Sequence, residues 1–142
     1  ALEAMAKNGM KVPGANKAAL EAVTTGEVGI LVAGVDYNAY TAKKKGEPLD
    51  IYYPKSGTIV NPRPAMILAK APHGENAKKF MDYLLSDEAQ KLVADAYLLP
   101  GRSDVKAKGT QLADIPQITP EWDKMMALAS KAAARLNELC RR

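Results

Sequence analysis

Gly26-Glu27-Val28-Gly29-Ile30-Leu31-Val32-Ala33-Gly34-Val35-Asp36-Tyr37-Asn38-Ala39 is the stretch on which the reading of this chain turns. Val28 to Ala33 is a continuous apolar run with β-branched residues, which predicts a strand buried on both faces of an α/β sheet. Asp36 follows at once and is expected to open a short helix through Ala42, with Gly46 ending it. In an open α/β sheet, ligands are held beyond the carboxyl ends of the strands. The polar trio Asp36, Tyr37 and Asn38 is therefore the first candidate site. Asp36 could accept bonds from a sugar or an amine, or ligate a metal, and Tyr37 offers a phenol for stacking or coordination. Helix capping by Asp36 and packing by Tyr37 are equally open readings.

Upstream, residues 2 to 8 read as the end of a helix stopped by Asn8-Gly9. Val12 to Asn16 is a turn, and Asn16 is expected to cap a helix from Lys17 to about Thr24 whose apolar face carries Ala19, Leu20 and Val23. The free N–H groups of such a helix start could instead receive an anionic oxygen, with the Asn16 amide assisting.

Downstream, Asp50 to Tyr53 is expected as a second strand, stopped by Pro54 and followed by a turn at Lys55-Ser56-Gly57. Asn61-Pro62-Arg63-Pro64 cannot sit in a central strand, because each proline lacks a ladder donor; it marks a segment boundary. Ala65 to Ala69 is expected as a third strand. Ala77, Phe80, Met81, Leu84, Leu85, Ala89, Leu92, Val93 and Ala96 then keep 3/4 spacing, predicting two helices with Ser86 capping the second. Pro100 to Pro116 reads as a long irregular connection that must be tethered and that crosses between two bodies. Thr119-Pro120-Glu121 is a helix start with Thr as cap, and Trp122, Met125, Met126, Ala129, Ala132, Ala133, Leu136, Leu139 and Cys140 form one stripe along the last helix.

The 142 residues suffice for one ordinary domain, and 47% apolar with 25% charged residues matches a folded globular chain. No apolar run approaches the roughly 20 residues that cross a bilayer, and the N-terminus shows no export signal. The 20 basic residues are interleaved with 16 acidic ones, so the net charge of +4 forms no stripe for nucleic acid. The triplet Lys43 to Lys45 reads as a solvated helix end. Cys140 is the only cysteine and His73 the only histidine, which removes an internal disulfide, a His/His metal spacing and a nearby Cys/His pair. Binding fits better than catalysis, and neither enzyme activity nor a resident cofactor is expected.

Taken in order, the Asp-Tyr-Asn edge, Gly57-Thr58-Ile59-Val60, Leu84-Leu85-Ser86-Asp87-Glu88-Ala89-Gln90 and Tyr97-Leu98-Leu99-Pro100-Gly101-Arg102 resemble the C-terminal half of an extracytoplasmic solute-binding protein of an ABC importer, nearest the iron(III)-type cluster. The resemblance runs from about Val12 to Val105. It implies an incomplete type 2 periplasmic-binding-protein-like fold, α/β, with helices packed on a short mixed sheet. Residues 1–58 would belong to lobe two, 59–100 to lobe one, and 101–142 would be a crossover and a helix returning to lobe two. It further implies a periplasmic or extracytoplasmic place and lobe closure on a small polar or anionic solute or a ferric ion. Its partners would be the permease subunits and a missing N-terminal half or a second copy of the chain.

Iron-binding relatives carry two adjacent tyrosines where this chain has Asp36-Tyr37, and an asparagine matching Asn16. The resemblance thus makes Tyr37 the one possible metal ligand, while Asp36 in place of a phenolate suits sugar phosphates, phosphonates and other small anions as well. Thr58, at the inter-lobe crossing, and Arg63, through its donor fork, join the candidates, a surface ion pair being the other fate of Arg63. The competing expectation is a truncated α/β module that binds no solute and acts in protein or self-association.

Overall fold

The computed structural model describes residues 2–140. Its elements are six α-helices and one 3-10 turn: α1 Leu2–Lys7, α2 Asn16–Thr24, α3 Asp36–Lys44, α4 Gly74–Leu84, α5 Asp87–Asp95, the 3-10 turn Leu112–Asp114, and α6 Trp122–Cys140. The expected α/β architecture is not there. Among the described residues there is no strand and no sheet; the only β pairing is an isolated parallel bridge between Thr58 and Gln117. Val28 to Ala33, Asp50 to Tyr53 and Ala65 to Ala69 are irregular or extended, and many of their large side chains face outward: Ile30 is 80% exposed, Tyr52 77%, Met66 72% and Leu68 71%. A strand is a property of a pair, and none of these runs has a neighbour to supply ladder bonds, so hydrophobicity alone did not make one.

Helices form where the 3/4 spacing predicts them, although Phe80, Leu92 and Met126 of the expected apolar faces are exposed. Ser86 caps α5 as expected, its hydroxyl accepting the Ala89 N–H at 3.3 Å. Asn16 does not cap α2: Ala15 holds the extended cap conformation, so Asn16 is already the first helical residue. At the last helix, the Glu121 carbonyl accepts the Met125 N–H, which moves the start to Trp122, past Thr119 and Pro120.

Two compact units divide the chain, one formed by Ala1–Gly34 with Thr119–Arg142, the other by Val35–Ile118. In the first, α1 lies against α6, and Arg135 of α6 pairs with Glu3 at 2.5 Å. In the second, α4 packs on α5, and the buried residues are Ala89, Gln90, Ala94 and Ile115. So thin a core cannot hold the long connection by apolar burial alone. Polar side chains hold it instead. Gln90 donates to the Leu84 carbonyl and accepts the Gly101 N–H, both at 2.6 Å. Arg102 donates to the Leu85 carbonyl at 3.0 Å and pairs with Asp87 and Asp104. Lys108 reaches Asp95 at 2.8 Å. Gly57 permits the Thr58–Gln117 bridge: its φ is +101°, and a Cβ there would lie 2.7 Å from Ile118 Cγ1.

Candidate functional site

The first turn of α3 organises the polar edge. Asp36 is its first residue, behind the extended Val35, and its carboxylate lies at the positive end of the helix. Oδ1 accepts the Tyr37 N–H at 2.8 Å, and Oδ2 accepts the Tyr53 phenol O–H at 2.8 Å. Tyr37 faces a different neighbour. Its Oη accepts a bond from Arg63 Nη2 at 2.9 Å, and the guanidinium carbon stands 5.0 Å from the Tyr37 ring centroid, a cation–π arrangement.

Charge at this edge is uncompensated. Among the described residues neither Asp36 nor Arg63 has an oppositely charged partner within 4.0 Å, whereas ten other ion pairs form elsewhere. Arg63 therefore meets an aromatic ring and a phenol rather than the surface ion pair that the sequence left open. A guanidinium has five donors in a planar fork, so most remain available to an oxyanion.

Behind Asp36 stands a group of tyrosines that the sequence reading passed over. Tyr53 is half-buried, and burial, with Tyr40 and Asp36 beside it, pushes its phenol well above the usual 10.0, so it stays a neutral donor. The Tyr40 hydroxyl bonds the Thr110 hydroxyl at 2.6 Å and accepts the Thr110 N–H at 3.1 Å. Its ring stacks on Tyr97 with centroids 5.4 Å apart and planes 10° from parallel. Tyr97 holds φ +61° to do so, and Gly109 is required opposite, since a Cβ would lie 2.7 Å from the Tyr40 ring. One signal for this group was available: Asp36 and Tyr40 are four apart, hence on one helix face. The contacts to Tyr53, Tyr97 and Thr110 span 17, 57 and 70 residues and leave no local trace.

Of the candidate residues, the structure brings Asp36, Tyr37 and Arg63 together. Asn38 follows in α3, half-buried, its N–H on the Val35 carbonyl. Thr58 is engaged through its backbone, donating to the Pro116 carbonyl at 2.8 Å and accepting the Ile118 N–H at 2.9 Å. Asn16 belongs to the other compact unit, exposed at the start of α2, with no side-chain hydrogen bond among the described residues. His73 directly precedes α4, and Cys140 ends α6.

A carboxylate and a guanidinium thus meet one tyrosine, through its N–H and its phenol, with no ion-pair partner for either among the described residues. The class follows from most of the chain: residues 1–127 match the bacterial extracellular solute-binding protein family, and the chain belongs to that family. At the level of individual relatives, it is similar to proteins of Salmonella typhimurium, Salmonella paratyphi A and Salmonella typhi, each bearing the name "Putative 2-aminoethylphosphonate-binding periplasmic protein". Each is 30% identical over 124 aligned positions, covering 78% of this chain and 37% of the relative. The chain thus spans little more than a third of the length of these relatives. No solved structure matches it significantly. Among the described residues, no helix is long and apolar enough to cross a membrane.

Proposed function

We propose that this chain contributes one wall of the binding site of an ABC importer's solute-binding component, and that its solute is a small anion bearing an amine, with 2-aminoethylphosphonate as the leading candidate. One observation carries the reading: Asp36, on the Tyr37 N–H, and Arg63, on the Tyr37 hydroxyl and ring, carry opposite charges and neither has an ion-pair partner among the described residues. Arg63 would take the phosphonate through its donor fork, and Asp36 the ammonium. The names of the Salmonella relatives support the same solute class.

A ferric ion is the weaker cargo. A guanidinium bonded to the Tyr37 oxygen and stacked on its ring repels a trivalent cation from the phenol that would have to ligate it.

Capture would proceed by closure of two bodies on the solute, the closed form being stabilised by contacts from both, followed by delivery to permease subunits. The second wall would come from the remainder of a family-length protein or from a second copy, with Thr58 near the hinge. Asn38, in the same compact unit as Asp36, Tyr37 and Arg63, is proposed as a secondary contact.

Thermal unfolding with increasing 2-aminoethylphosphonate tests this. The expected result is a melting temperature that rises with ligand concentration, and Arg63→Gln is expected to weaken binding about ten-fold or more. A flat response to the phosphonate, with concentration-dependent self-association instead, would favour the non-binding module.

A further inference from the structure

Tyr53 is held in a place its neighbour is not. Tyr52 is 77% exposed, whereas Tyr53 turns inward and spends its hydroxyl on Asp36 Oδ2. Asp36 is therefore fixed from two parts of the chain, by the Tyr37 N–H on Oδ1 and by a phenol 17 residues away on Oδ2, each at 2.8 Å. Behind Tyr53 stands Tyr40, itself locked by Thr110, Tyr97 and Gly109. We infer that Tyr53 is a positioning residue which sets the site's selectivity, holding the Asp36 carboxylate in place for an ammonium group so that amine-bearing anions are preferred to plain ones.

The choice of partner is what makes this specific. A lysine or arginine would fix the carboxylate equally well and would cancel its charge. A neutral phenol donor orients the group and leaves its negative charge for the ligand, and each oxygen keeps a lone pair to accept from an ammonium. The phenol remains neutral throughout the physiological range because burial, Tyr40 and Asp36 all oppose its ionisation. Orientation matters because a carboxylate that swings freely must be ordered on binding, which subtracts from affinity.

This inference rests on the proposed solute site, and the experiment separates the two. The full chain is titrated calorimetrically with 2-aminoethylphosphonate and with ethylphosphonate, the same anion lacking the amine. Wild type is expected to prefer the amine-bearing ligand. Tyr53→Phe keeps the ring and removes one oxygen; it is expected to weaken 2-aminoethylphosphonate about ten-fold while leaving ethylphosphonate within about two-fold. Tyr53→Gln, which retains a donor, is expected to keep part of the preference and guards against a misfolded phenylalanine variant. Thr110→Val, which removes the hydroxyl partner of Tyr40 behind Tyr53, is expected to shift the ratio in the same direction as Tyr53→Phe but by less. Equal weakening of both ligands by Tyr53→Phe, or an unaltered ratio, overturns the role of Tyr53 alone. Failure of wild type to bind either phosphonate overturns the site itself.

Discussion

Residues 97 to 118 and the apolar runs at 28–33 and 65–69 invert what their compositions promise. The first region is polar and rich in glycine and proline, with one 3-10 turn as its only regular element, yet it is pinned along its length. Gln90, Asp87, Asp95, Tyr40 and Thr58 each hold a point of it, and Ile115 within it is only 4% exposed. The apolar runs carry the most favourable side chains for burial and are the least held. Ala65 to Ala69 contributes a single backbone bond, from the Ala71 N–H to the Leu68 carbonyl, among the described residues. Order here follows the availability of partners. A polar side chain can find a backbone group within its own unit, whereas an apolar run becomes a strand only when another strand lies alongside it.

The largest expected effect that tests this contrast is at Gln90, which is 6% exposed and ties α5 to both Leu84 and Gly101. Gln90→Ala removes the side chain that the Gly101 N–H and the Leu84 carbonyl bond and is expected to cost about 1–2 kcal/mol, read from urea unfolding followed by far-UV circular dichroism. An effect near zero would mean that the connection is held by something other than its polar pins.

The next effect depends on pH. The Tyr53 phenol is raised in the folded protein above its ordinary value of 10.0, so the folded state keeps this proton longer than the unfolded chain does. The stabilisation is complete below about pH 10 and declines as pH rises beyond it, because ionisation then favours the unfolded chain. Tyr53→Phe is expected to flatten that alkaline decline, measured as unfolding midpoint against pH. An unchanged alkaline slope would show that the phenol is not held as described.

The smallest effect belongs to the apolar runs. Ile30→Ser and Leu68→Ser are expected to change stability by no more than about 0.5 kcal/mol, since both side chains already face water. The same substitutions are expected to reduce self-association in light scattering, because an exposed, unpaired apolar segment is a template for sticking. A loss of several kcal/mol on Leu68→Ser would show that the run is buried after all.

Helices were legible in the sequence because their period is written within ten residues, and the Ser86 cap because its hydroxyl bonds three residues ahead. Asn16 and Thr119 were misread for a subtler reason. Capping depends on which residue adopts the extended backbone, and that place is held by Ala15 at α2, while at α6 the Glu121 carbonyl takes the first bond. The strands failed because pairing is not a property of the run itself. At the candidate site, Asp36 and Tyr37 could be singled out from their position after an apolar run. Arg63 could be named for its donor fork, but its seat on Tyr37 spans 26 residues and was not readable. Tyr53 was read only as the end of a strand, and its bond to Asp36 emerges from the fold.

The most direct test of the account is a two-dimensional amide NMR titration of the chain with 2-aminoethylphosphonate. The expected result is a saturating shift of the Asp36, Tyr37 and Arg63 resonances that is lost in Arg63→Gln. No shift at millimolar ligand, or shifts centred away from these three residues, would contradict the claim that this polar edge is where the solute is held.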